Sequence, residues 1–401
     1  GRCDADRPSA CEDLVGSSAL FPIMACTRVH PGRHYLDVRR RTAGADPGQI
    51  AATLPFMADR VSIKDIAKAA DTTHSTVSRA LRDSPLISDA TRERVKRLAR
   101  EMGYTPNAVA QSLQTNRTNA VGLVVTSIAD PFLADVVKGV EEVAQPVGLS
   151  VFLNASHNDP NQEIQVIETF HRRRVDGILV ASSRIGSNHL DRLARIDVPV
   201  VLINSEAGED SDFLHSVTVD DQTGARQAVR HLIDRGHRRI GYLGVRNRPL
   251  SNERRRQGYL EALAEAGIEP RDDWVEVAAP AGIGRDQDVT AAEALTPSLL
   301  GAGVTAIFCF NDMVATGVLL ACKHQDVRVP DACSVVGFDD IDLARYVTPS
   351  LTTVHQLKRE MGSIAMQMLH DLIEGKTVQN RVLPPRFVRR ESTAPPPRTD
   401  A

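Results

Sequence analysis

Two periods divide the chain. Between Val61 and about Leu113, apolar residues recur three and four apart in short bursts, and beyond Ala120 short apolar runs alternate with longer amphipathic stretches. The first pattern predicts three short helices. Ile63, Ile66, Ala67 and Ala70 share one stripe of a helix over Ile63–Ala70, with Ser62 as N-cap and Asp65 as its capping partner. After a tight corner at Asp71 and Thr72, Thr73 caps a helix over His74–Leu81 whose Val77, Ala80 and Leu81 can face the first. Ser88 caps a third over Asp89–Met102, stopped by Gly103. Three small helices with a tight turn between the first two fit a helix-turn-helix reader of DNA; on helix pattern alone, a small bundle with solvated charges fits as well.

Charge and side-chain type favour the reader. Residues 57–118 hold 11 Lys and Arg against 7 Asp and Glu, a net +4, whereas the whole chain carries −3, so the remainder carries −7. A basic head on an acidic body concentrates phosphate attraction at one end. The candidate contact residues are Ser62, Thr73, His74, Ser75, Thr76, Ser78 and Arg79. Most of these side chains are short and polar, which lets a helix sit deep in a major groove, and the Arg79 guanidinium can fork onto a guanine edge. Pro106 then opens about two helical turns over residues 107–113 with little to bury. So short a helix is marginal alone in water, and it reads as a segment that folds when docked.

From Ala120 the second pattern predicts strands over Ala120–Val125, Leu149–Leu153, Asp176–Ala181, Pro199–Ile203, Val217–Val219, Arg239–Leu243, Trp274–Ala278, Thr305–Phe308 and Ser334–Gly337. Helices over Pro131–Ala144, Gln162–Arg173, Thr223–Asp234, Glu253–Ala266, Val289–Leu300 and Met313–His324 alternate with them. Such alternation means parallel α/β sheets, and about 275 residues exceed one comfortable core, so two sheets are expected. No GxGxxG follows a strand and no GxxxxGK[ST] occurs, which leaves nucleotide-binding loops unsupported.

Residues 1–56 differ from the rest: Arg, Gly, Pro and Ala dominate, three of the six Cys lie here, and no period persists. The apolar run Ala19–Cys26 is too short for a membrane span, and no secretion signal is visible. The segment reads as lacking folded structure, either as sequence upstream of a start at Met57 or as a tail. The scattered Cys, without CxxC or His at ligand spacing, read as reduced thiols of a cytoplasmic protein and support no metal site.

The head and its continuation, IKDIAKAA, STVSRALRDSP, TRERV and GYTPNAVAQSL, resemble the lactose-repressor/purine-repressor family of bacterial regulators. The body carries further landmarks of that family: DPF at 130–132, VDD at 219–221, GHRRIGYLG at 236–244, RRRQGY at 254–259, FNDMVATG at 310–317, VVGFDD at 335–340 and LTTV at 351–354. The resemblance implies an α/β protein with an N-terminal helix-turn-helix head (57–105), a hinge helix and linker (106–118), and a two-lobed periplasmic-binding-protein-like core (119–395) before a tail at 396–401. The first lobe would take about 119–219 and 339–384, the second about 220–338 and 385–395. In the family the hinge helix pairs with its dimer mate and drives a Leu into the minor groove. Leu113 would be that wedge, with Asn107, Ala108 and Gln111 beside it, and Gln111 stands where the family usually has Arg.

Two lobes imply a ligand cleft outside the carboxyl ends of the strands. Phe132, Leu133, Asn204, Ser251, Arg255, Asn311 and Asp312 fall at such places, and the resemblance assigns effector binding to Arg255 and Asp312. Their truncation is expected to leave folding intact. Together these readings imply a nucleoid-associated homodimer on a pseudo-palindromic operator in double-stranded DNA, gated by a sugar-like or nucleobase-like effector, with no cofactor, metal or membrane. The proline-rich end STAPPPRTDA lacks a heptad repeat, so a dimer is expected rather than a tetramer. A transport-type binding protein would explain the body but not the head. An enzyme would need a nucleophile or metal set absent from the sequence; the acid pairs Asp220–Asp221 and Asp339–Asp340 read as crossover and capping residues.

Overall fold

A computed structural model describes residues 61–106, 112, 117–182, 196–205, 214–246, 248–278 and 287–397. Residues 1–56 and the hinge positions Asn107, Ala108, Gln111 and Leu113 lie outside the described residues. The chain divides into two compact units, the first ending at Thr105 and the second starting at Pro106.

In the first unit, α1 (Ile63–Ala69), α2 (His74–Leu81) and α3 (Asp89–Glu101) enclose a small core of Ile66, Ala67, Ala70, Val77, Ala80, Val95 and Ala99. The caps are local chemistry. The Asp65 carboxylate accepts the Ser62 backbone N–H at 2.8 Å, Thr73 Oγ1 accepts the Thr76 N–H at 3.2 Å, and Ser88 Oγ accepts that of Thr91. Each holds an otherwise orphaned donor at a helix start.

The second unit contains two parallel sheets. Strands β1 (Ala120–Val125), β2 (Ser150–Ala155), β3 (Gly177–Ala181), β4 (Val200–Ile203) and β5 (Leu214–Val219) alternate with α4 (Pro131–Ala144) and α5 (Pro160–Arg172). The chain then crosses into α6 (Asp221–Asp234), β6 (Ile240–Val245), α7 (Pro249–Glu265), β7 (Val275–Ala278), α8 (Gln287–Gly301), β8 (Ala306–Cys309), α9 (Asp312–His324) and β9 (Ser334–Val336). After α10 (Leu343–Tyr346) and β10 (Thr353–His355) it returns as α11 (Lys358–Ile373) and β11 (Arg381–Leu383), and β12 (Arg386–Val388) crosses once more. The first sheet runs β11-β5-β4-β3-β1-β2 and the second β7-β6-β8-β9, while β10 and β12 form a short antiparallel pair.

Strands β1, β3, β4 and β8 are covered on both faces and are apolar without alternation, whereas the edge strands β2 and β11 are largely exposed. In the first lobe α4 and α11 pack on one face through Val136, Val140, Met361 and Leu369, and α5 on the other through Ile167 and Phe170. In the second lobe α8 and α9 take one face, α6 and α7 the other.

One expectation is corrected here. Residues 339–357, placed with the first lobe, pack with the second: Ala344 and Leu351 belong to its core, as does Val354. Register explains this, because Val336 bridges Thr352 and Asp339 bridges His355, so the segment lies beside β9 before crossing. The two expected parallel sheets are present, and the β10–β12 pair stands beside them as a short antiparallel ribbon. The return crossing is strained and clamped. Asp339, Asp340 and Leu357 have positive φ (115°, 52° and 51°), and the buried Lys358 Nζ donates to the carbonyls of Asp339 (2.6 Å) and Asp340 (2.8 Å).

Candidate functional site

On the head, burial sorts α2 into two faces. Val77 and Ala80 are buried, whereas His74, Ser75 and Arg79 are exposed and Thr76 and Ser78 half-exposed. Among the described residues the Arg79 guanidinium makes no protein hydrogen bond or ion pair. By contrast, Ser78 is engaged locally: its hydroxyl accepts from Arg82 at 3.1 Å, as does its carbonyl. Thr73 and Ser62 serve as caps, and Thr73 Oγ1 also meets the Ser75 and Thr76 hydroxyls at 2.9 Å. His74, Ser75 and Arg79 form an exposed row on α2, while the side chains of Ser62, Thr73 and Ser78 are engaged in hydrogen bonds within the head.

In the body, a cavity of about 210 Å³ lies between the lobes. The first lobe contributes Thr126, Ser127, Asp130 and His157, and the second Arg248, Asp288, Asn311, Met313, Asp339 and Ile341. Loops at the carboxyl ends of β1, β2, β6 and β8 supply most of these groups, the usual place for a ligand in open α/β sheets. One ion pair spans the lobes here: Arg248 donates to Asp130 Oδ2 at 3.1 Å, while Asp130 Oδ1 caps α4 through the Phe132 N–H at 3.0 Å. Burial alone would lower the Arg248 pKa, but the carboxylates of Asp130, Asp288 and Asp339 hold it above its ordinary value. Burial pushes the Asp339 carboxyl up to about 6, with Arg255 and Arg248 opposing.

Of the seven expected effector residues, Asn311 lines this cavity. Its Oδ1 caps α9 through the Val314 N–H at 2.8 Å, and its Nδ2 donates to Asp288 Oδ2 at 3.2 Å. Arg255 and Asp312 sit behind it. Arg255 is 2% exposed, pairs with Asp221 at 2.8 Å, bonds the Phe310 carbonyl, and lies between the rings of Phe338 (3.8 Å) and Phe310 (4.4 Å). Its reach toward the cavity is Asp339, 3.7 Å away. Asp312 is also buried: Oδ1 accepts from Thr353 Oγ1 at 2.6 Å and Oδ2 from the Ile341 N–H at 2.9 Å, clasping the segment beside β9. Burial and the nearby Asp339 charge hold its carboxyl well above the usual range. Ser251 bonds Asp221, reinforcing that same buried pair. Phe132 and Leu133 turn into the first-lobe core, and Asn204, at φ 52°, ends β4 with its N–H on the Val217 carbonyl. None of these six lines the cavity.

The sequence reading missed Thr126, Asp130, Arg248, Asp288 and Asp339 as cavity residues. Asp130 had a visible signal, an acid directly before Pro131 at a helix start. Arg248 and Asp288 had none, because a charge in a loop or a first helical turn is ordinarily solvated.

A helix-turn-helix unit joined to a two-lobed α/β body with a polar cavity between the lobes defines a ligand-responsive class of DNA-binding regulator. Comparison with known proteins agrees. Residues 62–107 match the family described as bacterial regulatory proteins, lacI family, and residues 229–393 match the periplasmic binding protein-like domain. The purine repressor PurR of Photobacterium profundum is 34% identical over 336 residues, spanning 82% of this chain and 98% of that protein. GalS of Salmonella typhimurium is 35% identical, spanning 83% and 97%. Among solved structures, the lac repressor dimer bound to operator and the anti-inducer ONPF aligns with a TM-score of 0.74 at 26% identity, covering 84% of this chain and 99% of that one. The chain belongs to the lacI family of bacterial regulatory proteins. It is a DNA-binding transcriptional regulator and not an enzyme.

Proposed function

We propose that this chain is a repressor that binds a pseudo-palindromic operator as a homodimer, with an affinity set by a small ligand held between the two lobes. The cavity formed jointly by the lobes carries this reading, since a ligand touching both can favour one lobe arrangement over another. His74, Ser75 and Arg79 read the major groove, and Leu113, with Asn107, Ala108 and Gln111, wedges the minor groove. PurR and the lac repressor are by name a repressor and an operator-bound dimer, which supports the same reading here. So does the exposed edge strand β2, where Phe152 and Leu153 are 53% and 42% exposed, a surface suited to a second copy. Among the described residues no helix is long and apolar enough to cross a membrane.

The test is operator titration across a salt series. Arg79→Ala should lower the preference at particular base pairs by about 1–3 kcal/mol. Leu113→Ala should weaken specific binding while leaving salt-sensitive nonspecific binding intact. Parent-like operator affinity in the Leu113 variant would sink the hinge assignment.

A further inference from the structure

Counted over the described residues, negative charge at the cavity is incompletely balanced. Among the described residues the lining carries three carboxylates, Asp130, Asp288 and Asp339, and one guanidinium, Arg248. Arg248 is engaged with Asp130 at 3.1 Å. Behind the lining, Arg255 is committed to Asp221 at 2.8 Å and stands 3.7 Å from Asp339 Oδ1. Lys358 directs its ammonium to two backbone carbonyls. Asp288 has no cation within ion-pair distance among the described residues: Oδ2 receives the neutral Asn311 amide, and Oδ1 receives no protein donor. Asp339 Oδ1 takes the Gln356 amide, and its Oδ2 likewise has no protein donor.

Two buried groups at the cavity also lack partners, Thr126 Oγ1 and Arg248 Nε, and Thr126 is 1% exposed. Leaving such groups unsatisfied is costly, and a ligand that reaches them removes the cost. Among the described residues the site therefore presents an acceptor-rich end at Asp288 and Asp339, an open donor at Arg248 Nε, and a hydroxyl at Thr126 that can act either way. Met313 and Ile341 supply limited apolar contact, and among the described lining residues there is no Phe, Tyr or Trp to stack on a flat ring.

We propose that the cavity takes a small polyhydroxylated ligand bearing an ammonium group, with the ammonium seated against Asp288 and Asp339. This rests on the ligand-gated reading above. An ammonium offers three donors and one positive charge to the two open carboxylate oxygens, a charge-assisted arrangement. A ligand oxygen accepts from Arg248 Nε, and a hydroxyl meets Thr126. Anionic ligands meet like charge and are rejected.

Calorimetric titration of the full chain tests this with matched sets of D-glucose, D-galactose and D-mannose, each compared with its 2-amino, 2-acetamido and 6-phosphate derivatives. In at least one set the amine should bind tenfold or more tighter than both the parent and the uncharged acetamide, and the phosphate should not bind. Asp288→Asn keeps an oxygen for Asn311 and should erase the amine's advantage. Equal or tighter binding by parent, acetamide or phosphate in every set, or no binding by any amine, overturns the proposal. The acetamide comparison reads charge without any variant, so it stands if Asp288→Asn fails to fold. Operator titration with the bound sugar separates the two claims. A neutral sugar that shifts operator affinity without an amine preference defeats this inference and leaves the regulatory reading standing. An amine whose binding depends on Asp288 but leaves operator affinity unchanged does the reverse.

Discussion

Arg255 shows how a residue expected in the cleft can be committed to the core behind it. The family resemblance marked it, and the structure places it one layer behind the cavity, held by Asp221, the Phe310 carbonyl and two aromatic rings. Removing one member of a buried ion pair leaves the other charge uncompensated, which costs about 3–5 kcal/mol. Arg255→Ala should therefore lower the urea midpoint of the second lobe strongly, contrary to the expectation that folding would survive; an unchanged midpoint would return Arg255 to a purely ligand-facing role. His231 gives a second residue-scale prediction. Burial, then the charges of Arg235 and Arg389, lower its pKa from 6.5 to about 4, and its Nε2 accepts from Arg235 at 3.1 Å while meeting Thr393 Oγ1 at 2.9 Å. The unfolded chain takes up this proton first. Its stabilising contribution is thus whole above pH 6.5 and is lost as pH falls through about 4. His231→Gln should flatten that part of the curve of urea midpoint against pH, and a parallel curve would assign the acid loss to other groups.

Elements were most legible where a cap and a period coincided. The head helices, and much of the alternation from β1 to β9, were visible because the helices of the head and α4 to α7 and α9 start at a Ser, Thr, Asp, Asn or Pro signal and strands such as β1, β3, β4 and β8 run as unbroken apolar stretches. The C-terminal elements were not. Helix α11 starts after Leu357, in a left-handed conformation without a side-chain cap, so its start signal is absent although Met361, Ala365, Met368 and Leu369 keep the helical period. Strands β11 and β12 have three residues each, too short for alternation to register. The site was less legible than the fold, because Arg248 and Asp288 acquire meaning only when the lobes face each other. Glycine governs one element contact that the sequence did not announce. Helices α4 and α11 cross at Gly139 and Gly362, where an added Cβ would run into the Arg359 and Val136 carbonyl oxygens respectively. Backbone cannot rotate away as a side chain can. Gly139→Ala should force the helices apart and cost at least about 1–3 kcal/mol; thermal unfolding at the parent temperature would show that the contact yields.

At the scale of the whole body, the lobes are joined by three crossing segments and, at the cavity, by the Arg248–Asp130 pair. The return crossing is clamped by Lys358, and the buried Asp312 carboxylate clasps the segment leading into it. The ion pair governs whether the lobes stay closed. Both of its side chains are partly exposed, 21% and 15%, which limits the pair to about 1 kcal/mol, or roughly a fivefold bias toward closure. Asp130→Asn isolates that bias, because Asn keeps an oxygen to cap α4 through the Phe132 N–H while removing the charge that holds Arg248. Local opening should rise by up to about fivefold, and amide exchange in peptides covering 126–132 and 248–252 should quicken by the same factor. Exchange in the first-lobe core around Val201 should not change, since global stability does not depend on the pair. A small bias of this kind suits a switch: a ligand entering the cavity then needs only a few kcal/mol of differential affinity to reset the lobes, and with them the segment leading to residues 107–116. Identical exchange in the variant and the parent would mean that the crossings alone set the lobe angle, and the gate would have to be sought there.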